Sequence, residues 1–472
     1  MKKKKHKKDV FLEKYKNIVA THQNTIPTFH NLDLLHKDVI DANSWFSIHR
    51  CSEEKVHNIK IGKTDKLPEP GYKMIKVDMI LKSIHKKILK KWFKASTVIY
   101  NSTLNYIKSS FPFTKSFITK NMIGTNKDFY NNYYIRNMMK EVKLQIQNGF
   151  SFTIDKENTI SKKKSIKCSI DIHTLDKTIF QLTQNIKSAV SNMKTGNFKM
   201  FRMKYWKFTR PSQTLEFEKG KIKDGIFCKS VFGDLPKIKF LYNNKEFDLQ
   251  SINCDFKINY NSILDKYTLL VPVKLEDLQT QQKNNVISLD PGLRTFMTGL
   301  SNNEYVSIGN DVHLKIKSML NRLNTIKCNK EIKSSIKKKN ERIVNRKIEN
   351  KVNELHWKVI NFLTNNYDTI LLGDMSAKSI VKKNSSVLSK VAKVACLRTK
   401  FYEFRMRLIY KCSIKGCKFS LIDECYTSKT CSKCGNYNEN LKGEIEYDCK
   451  KCNNKQHRDI NGCRNIYMKQ YI

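Results

Sequence analysis

Four cysteines near the C-terminus carry the clearest chemistry in this chain. Cys431-x2-Cys434 and Cys449-x2-Cys452 form two CxxC pairs, with 14 residues between Cys434 and Cys449. Two such pairs suit the knuckles of a zinc ribbon, each turning two thiolates toward one tetrahedral Zn2+. Gly435 follows the first pair, where a knuckle needs a residue tolerant of positive φ. A closed four-Cys site leaves no position for a substrate, so the zinc is structural and carboxylates must do any chemistry. Glu424 stands just before the cluster and Asp459 just after it, in HRDINGCRNI. Asp290 closes the apolar run VISLD ahead of Pro291-Gly292, and Asp374 follows YDTILLG. Each acid has a plainer role open to it: Asp290 a turn, Asp459 a helix cap. Together they fit the three or four carboxylates, drawn from different elements, that hold two divalent ions about 4 Å apart for phosphodiester hydrolysis. His457 offers an imidazole, but a lone His beside an Asp is more often structural. Cys412, Cys417, Cys425 and Cys463 crowd the same region without the repeated spacing.

The elements that position these groups follow from periodicity. VISLD, YDTILLGDM and KFSLIDE read as buried strands, with a hairpin after Asp290, a long basic helix or helical pair over about 313–365, and a helix over about 388–411. Strand, hairpin, helix, strand, helix, strand, helix is the succession of an RNase H-like nuclease, here interrupted by the zinc ribbon before its last helix. Upstream, 200–277 alternates like strands and forms a small β-barrel or sheet to which the Val77 strand returns, with the helices of about 84–198 as an insertion. One helical stretch, about Tyr130–Gln147, interleaves aromatic and basic residues (Tyr130, Tyr133, Tyr134 with Arg136, Lys140, Lys143), a pattern that suits nucleic acid as well as an ordinary core with a solvated face. Residues 1–72 read as a polar, weakly periodic extension. It opens with the Lys2–Lys8 run, a nuclear address, a phosphate-binding arm or a charged tail.

Composition narrows the partners. The 472 residues carry 89 Lys and Arg against 43 Asp and Glu, a formal charge of +46. Such a chain repels itself unless a polyanion neutralises it, and nucleic acid is the obvious one. No apolar run approaches the ~20 residues that span a bilayer, so no membrane partner is expected. Fourteen Cys, a metal-type cluster and no secretory-type leader indicate a reducing, intracellular compartment.

ISLDPGLRTF (Ile287–Phe296), YTSKTCSKCG (Tyr426–Gly435) and HRDINGCRNI (His457–Ile466), in that order, resemble the TnpB nucleases of transposable elements, relatives of type V CRISPR effectors. The likeness is strongest to the Fanzor branch of eukaryotes and large DNA viruses, and YDTILLGDM adds to it. ILKKWFKASTVIYNSTLNYIK and GNFKMFRMKYW match the family's guide-binding wedge and recognition regions only loosely. The resemblance implies a multidomain α+β and α/β chain: a basic extension (1–72), a wedge-like β-barrel (73–83 and 199–283), a helical recognition insert (84–198), a RuvC-type RNase H-like nuclease (284–424 and 456–472) and a zinc ribbon (425–455). It implies an RNA-guided DNA endonuclease that binds guide RNA and target DNA, uses Mg2+ at Asp290, Glu424 and Asp459, and works as a monomeric ribonucleoprotein in the nucleus of a eukaryotic or virus-infected cell. In TnpB the second acid is a Glu ending the strand that here reads ILLGDM. Gly373 stands there instead. Ser420, Ile422 and Glu424 share one strand face, and a glycine at 373 leaves Glu424 room to reach inward, whereas Asp374 points the other way. Glu424 is therefore preferred over Asp374. A decayed nucleic-acid-binding protein and a DNA-strand transferase are the alternatives. Arg294, Arg458, Arg464, Thr427, Ser428 and Lys429 lie near the acids or the ribbon as candidate phosphate contacts.

Overall fold

The computed structural model describes residues 12–21, 38–42, 45–52, 63–68, 71–111, 128–154, 160–164, 169–197, 199–275, 285–301, 304–375, 381, 389–441 and 444–471. Lys2–Lys8 lies outside them. The chain divides into two compact units: Gly71–Leu275, and a discontinuous one made of Met1–Pro70 with Glu276–Ile472.

The Gly71–Leu275 unit is built on a six-stranded antiparallel sheet. Tyr72–Ile80 pairs with Lys266–Lys274 on one side and Lys239–Tyr242 on the other. Ile75, Val77 and Met79 alternate into the core, as a strand with one covered face requires. The outer strands, Lys245–Glu246 and Ser212–Phe217, do not pair with each other among the described residues, so the sheet is open where a barrel was expected. The first of them is only two residues long and offers too little ladder to close a ring. Helices Ser83–Ser110 and Ile172–Lys194 pack together, and their core ends on Trp92, ringed by Phe217, Phe227 and Phe232 at 5.5–6.2 Å. Two basic residues of the aromatic–basic pattern are used internally: Lys143 is buried on Asp176, and Arg136 donates to the same carboxylate at 2.7 Å. A buried ammonium needs such a partner, so Lys143 is not available to phosphate.

The discontinuous unit holds a seven-stranded sheet, its elements numbered here within the unit. The strands are β1 (Asp38–Ala42), β2 (Ser47–Ser52), β3 (Val286–Pro291), β4 (Thr295–Ser301), β5 (Glu304–Asn310), β6 (Thr369–Gly373) and β7 (Lys418–Ile422). Their spatial order is β1-β2-β5-β4-β3-β6-β7, with β3, β6 and β7 parallel and every other pair antiparallel. The helices are α1 (12–21), α2 (Val312–Cys328), α3 (Ser334–Asn366), α4 (Lys390–Arg398), α5 (Phe401–Lys415) and α6 (Arg458–Lys469).

Both faces of the central strands are covered, which is why VISL and TILL read as unbroken apolar runs. Ile287, Leu289, Ile370 and Leu372 face the core made with α2 to α5. Val286 and Leu371 face the opposite core, shared with α6 and with Tyr15 and Val19 of α1. The alternation sends Ser288 and Asp290 to the α6 side. Part of the expected polar extension is thus structural: β1 and β2 complete the sheet, and α1 packs on α6. A turn at Lys400, whose φ is +52°, separates α4 from α5 where one helix was expected.

Candidate active site and zinc ribbon

Asp290, Gly373 and Glu424 come together at the C-terminal ends of the three parallel strands. Asp290 is the next-to-last residue of β3, Gly373 ends β6, and Glu424 lies two residues past β7. Glycine floors both carboxylates. A Cβ on Gly373 would lie 2.3 Å from Glu424 Oε1, and one on Gly462 of α6 would lie 2.3 Å from Asp290 Oδ2. Side chains at 373 and 462 would occupy the space that the two carboxylates fill.

Electrostatics within this group are strained by like charge. Burial pushes the Asp290 carboxyl up to about 7, with Asp459 adding to the rise and the Arg458 guanidinium opposing it. Burial pushes Glu424 up to about 8, with help from Asp290, Asp374 and Asp423 and against Lys469. Glu424 Oε1 is buried and has no hydrogen-bond partner. Buried, mutually repelling carboxylates with an unsatisfied oxygen are what a cation site needs. Among the described residues, only the cysteine set gathers three or more ligand atoms within 4.8 Å of one another. A two-ion site does not need its acids so close, because ions about 4 Å apart hold ligands on their outer sides. The donor set therefore fits Mg2+.

Asp459 sits in the first turn of α6, where a negative charge suits the helix dipole. The cap itself is His457, whose Nδ1 accepts from the Asp459 N–H at 3.2 Å, so this imidazole is committed to the backbone. Asp374 turns away from Asp290, and its carboxylate pairs with Arg405 of α5. Its N–H donates to Ile422 O at 2.8 Å, extending the β6–β7 ladder.

The ribbon's four sulfurs are already arranged for a metal. Cys431 and Cys452 Sγ are 3.7 Å apart, and Cys434 and Cys449 Sγ 3.6 Å, while a tetrahedron of Zn–S bonds near 2.3 Å separates its sulfurs by about 3.8 Å. The two knuckles match. Gly435 N–H donates to Cys431 O and Asn453 N–H to Cys449 O, with φ of +67° at Gly435 and +52° at Asn453. Burial raises the Cys449 thiol, but backbone donors at Cys452 and Lys451 bring it down to about 7, toward the thiolate that zinc binds. Of the other nearby cysteines, Cys463 donates to Thr298 O and Cys425 is exposed outside the cluster.

Several residues that hold the site were not anticipated. Asn461 and Asn465, both fully buried on α6, tie the helix to the ribbon: Asn461 accepts from Ser432 N–H at 2.9 Å and donates to Thr430 O at 2.8 Å, and Asn465 donates to the same carbonyl at 2.7 Å. Lys469 donates to Asp423 O and Cys425 O at 2.6 and 2.7 Å, gripping the loop on both sides of Glu424. Tyr15 of α1 donates to Asn465 Oδ1. The signal for the asparagines was their i, i+4 spacing within HRDINGCRNI, which puts both on one helix face. Thr427 is spent on the Glu424 carbonyl, and Lys429 on Glu439 O. Arg464 is buried, whereas Arg294 is exposed.

Residues 401–466, from α5 through the ribbon into α6, match the family model described as the Cas12f1-like TNB domain. A TnpB-like protein of Acanthamoeba polyphaga mimivirus is 29% identical over 390 residues, covering 80% of this chain and 70% of that protein. The chain is related to TnpB-like and Cas12f1-like proteins. A putative transposase of Paramecium bursaria Chlorella virus 1 is 27% identical over 343 residues, covering 69% of this TnpB-related chain and 76% of the viral one. The cryo-EM structure of a Cas12f1–sgRNA–target DNA complex superposes with a TM-score of 0.44 at 16% identity, over 82% of this chain and 83% of that one.

Proposed function

We propose that this TnpB-related protein is an RNA-guided DNA endonuclease of the Fanzor type, with a RuvC-like RNase H nuclease centre. The observation that carries the reading is the Glu424 carboxylate, whose Oε1 is buried without a hydrogen-bond partner, filling the space above Gly373 beside Asp290. Burial and the neighbouring acids push this carboxyl up to about 8, and a shared cation would relieve that repulsion. Asp290, Glu424 and Asp459 are the ligands. These three carboxylates would hold Mg2+, which would supply Lewis-acid chemistry for phosphodiester hydrolysis.

The remaining work falls to the chain. Gly373 and Gly462 let two carboxylates approach without a side chain between them. Lys469 fixes the loop that carries Glu424. The zinc ribbon, through Asn461 and Asn465, sets the position of α6 and so of Asp459. The charge of +46 supports guide RNA and target DNA as partners, since protein must neutralise an RNA, a heteroduplex and a displaced strand. On this reading one copy of the chain serves each ribonucleoprotein, and the Lys2–Lys8 run supports a nuclear location.

The test is plasmid cleavage in Mg2+, with protein co-expressed with its own locus so that guide RNA copurifies. Wild type and Asp374→Ala are expected to cut a guide-matched plasmid, whereas Glu424→Ala does not. Cleavage that survives Glu424→Ala and is abolished by Asp374→Ala would overturn the assignment.

A further inference from the structure

A second cavity-bearing surface begins where the acid site ends. A cavity of about 390 Å3 opens at the C-terminal ends of β3 and β6, on the face of the sheet opposite Glu424. Pro291, Phe401 and Phe404 make its apolar wall, and Gly373 belongs both to this cavity and to the floor beneath the Glu424 carboxylate. Ligands of sheets with parallel strands collect at these strand ends, and the volume is within the range that holds a small planar group.

Two side chains of α5 shape its mouth. Tyr402 is a large aromatic left 67% exposed. The Arg405 guanidinium lies 5.1 Å from the Tyr402 ring centre and pairs with Asp374 at the end of β6. An exposed ring ordinarily swings through several rotamers, but here an anchored guanidinium stands against it. The result is an aromatic ring braced on one face by a fixed cation, with its other face open, beside the end of β6.

We infer that this cavity is a nucleobase site: Tyr402 stacks on a base flanking the phosphate to be cut, and Arg405 holds the neighbouring phosphate of that single DNA strand. The inference rests on the nuclease reading for the identity of the strand. Its support is chemical. Every base has a π-face that stacks on an aromatic ring without regard to sequence, and an arginine beside the ring adds phosphate recognition. A larger cavity among the described residues, about 670 Å3 in the Gly71–Leu275 unit, carries Asp224, Glu246 and Asp248 in its lining, a poor match to a phosphate backbone. Asp374 thereby gains a role other than metal binding, as the positioning residue for Arg405.

The experiment uses the copurified ribonucleoprotein and a guide-matched target whose cleaved strand carries 2-aminopurine, moved one nucleotide at a time across the cut. In a Glu424→Ala background, quenching is expected at one or two positions beside the cut. Tyr402→Phe keeps that quenching and Tyr402→Ala loses it. With Glu424 intact, Tyr402→Ala raises KM about ten- to hundredfold, the range of one lost base stack, while kcat stays within about threefold. Arg405→Ala moves KM in the same direction, and Asp374→Ala does so by less. Tyr402→Phe stays near wild type, which separates lost stacking from misfolding. Quenching and KM both indifferent to Tyr402→Ala would overturn the base site while wild-type cleavage upheld the nuclease. A wild type that never cuts, yet shows Tyr402-dependent quenching, would sink the nuclease reading and leave the base site standing. A dimer in solution that Tyr402→Ala dissolves would assign the face to a second copy of the chain instead.

Discussion

Substituting Gly373 by Ala tests whether Glu424 occupies the space assigned to it. The added Cβ would lie 2.3 Å from Glu424 Oε1 and 2.9 and 3.0 Å from its Cγ and Cδ. Carbon and oxygen atoms rest about 3.5 Å apart, so the carboxylate must retreat by roughly 1.2 Å. A displacement near 1 Å in a reacting constellation costs on the order of a hundredfold in rate. The same crowding in a closed interior costs about 1–3 kcal/mol, a melting shift of a few degrees for a unit this large. Initial cleavage rates at saturating Mg2+ and thermal unfolding of the metal-free protein measure the two effects. The double variant Gly373→Ala/Glu424→Ala supplies the control, because removing the carboxylate removes the clash. Its stability is expected to exceed the sum of the single effects by about 1 kcal/mol or more. Cleavage by Gly373→Ala within twofold of wild type, together with strict additivity in the double variant, would refute the placement of Glu424.

Three further outcomes follow from the structure. Burial pushes the His356 imidazole down to about 4 from its ordinary 6.5, while Arg407 donates to its Nδ1 and its Nε2 bonds Thr399 O at 2.9 Å. The unfolded chain takes up this proton near pH 6.5 and the folded one only near 4, so stability falls across that window as pH drops, by about 3 kcal/mol for the 2.5-unit gap. Melting temperature against pH is expected to be shallower over pH 4–6.5 in His356→Gln than in wild type. Elemental analysis is expected to find one Zn2+ per chain, none in Cys431→Ser and no change in Cys425→Ser. Chelation loosens α6 through Asn461 and Asn465, so cleavage is lost with the zinc although zinc touches no substrate. Truncating Tyr15, which is 1% exposed against α6, costs about 3–5 kcal/mol in urea unfolding, and Tyr15→Phe costs less.

Legibility in the sequence followed the length scale of each signal. Asp290, Gly373 and Glu424 could be read because each stands at or near the end of a short apolar run, and the period of a strand tells which neighbours share its face. The cysteine cluster was legible because four identical soft ligands in two equally spaced pairs suit one tetrahedral ion and little else. β1 and β2 were not, since DVIDA and SIHRCS are short and polar. β2 is held as a strand by pairing with β5, more than 250 residues away, as Arg50 does opposite Val306, and β1 by pairing with β2. The buried Glu304 was hidden for the same reason: Tyr367 donates to its Oε1 and Arg50 forms an ion pair with its Oε2, from two distant segments. Periodicity also merged α4 and α5, because the turn at Lys400 uses a lysine where a glycine would have marked the break. Tyr402 and Arg405 gave no motif, and only the fold brings them to the edge of the acid site.

Tyr15 and Asn465, bonded across 450 positions, make the discontinuous unit a closure between early and late sequence. During synthesis β1 to β5 can pair while the rest is still being made, but the Asp290 carboxylate has no floor until Gly462 arrives, and Glu424 no clamp until Lys469 does. Contacts so distant along the chain form last. A nascent or prematurely terminated chain therefore carries most of the basic charge without an assembled set of acids. On the proposed nuclease reading, the order of translation itself keeps unfinished molecules from cutting nucleic acid.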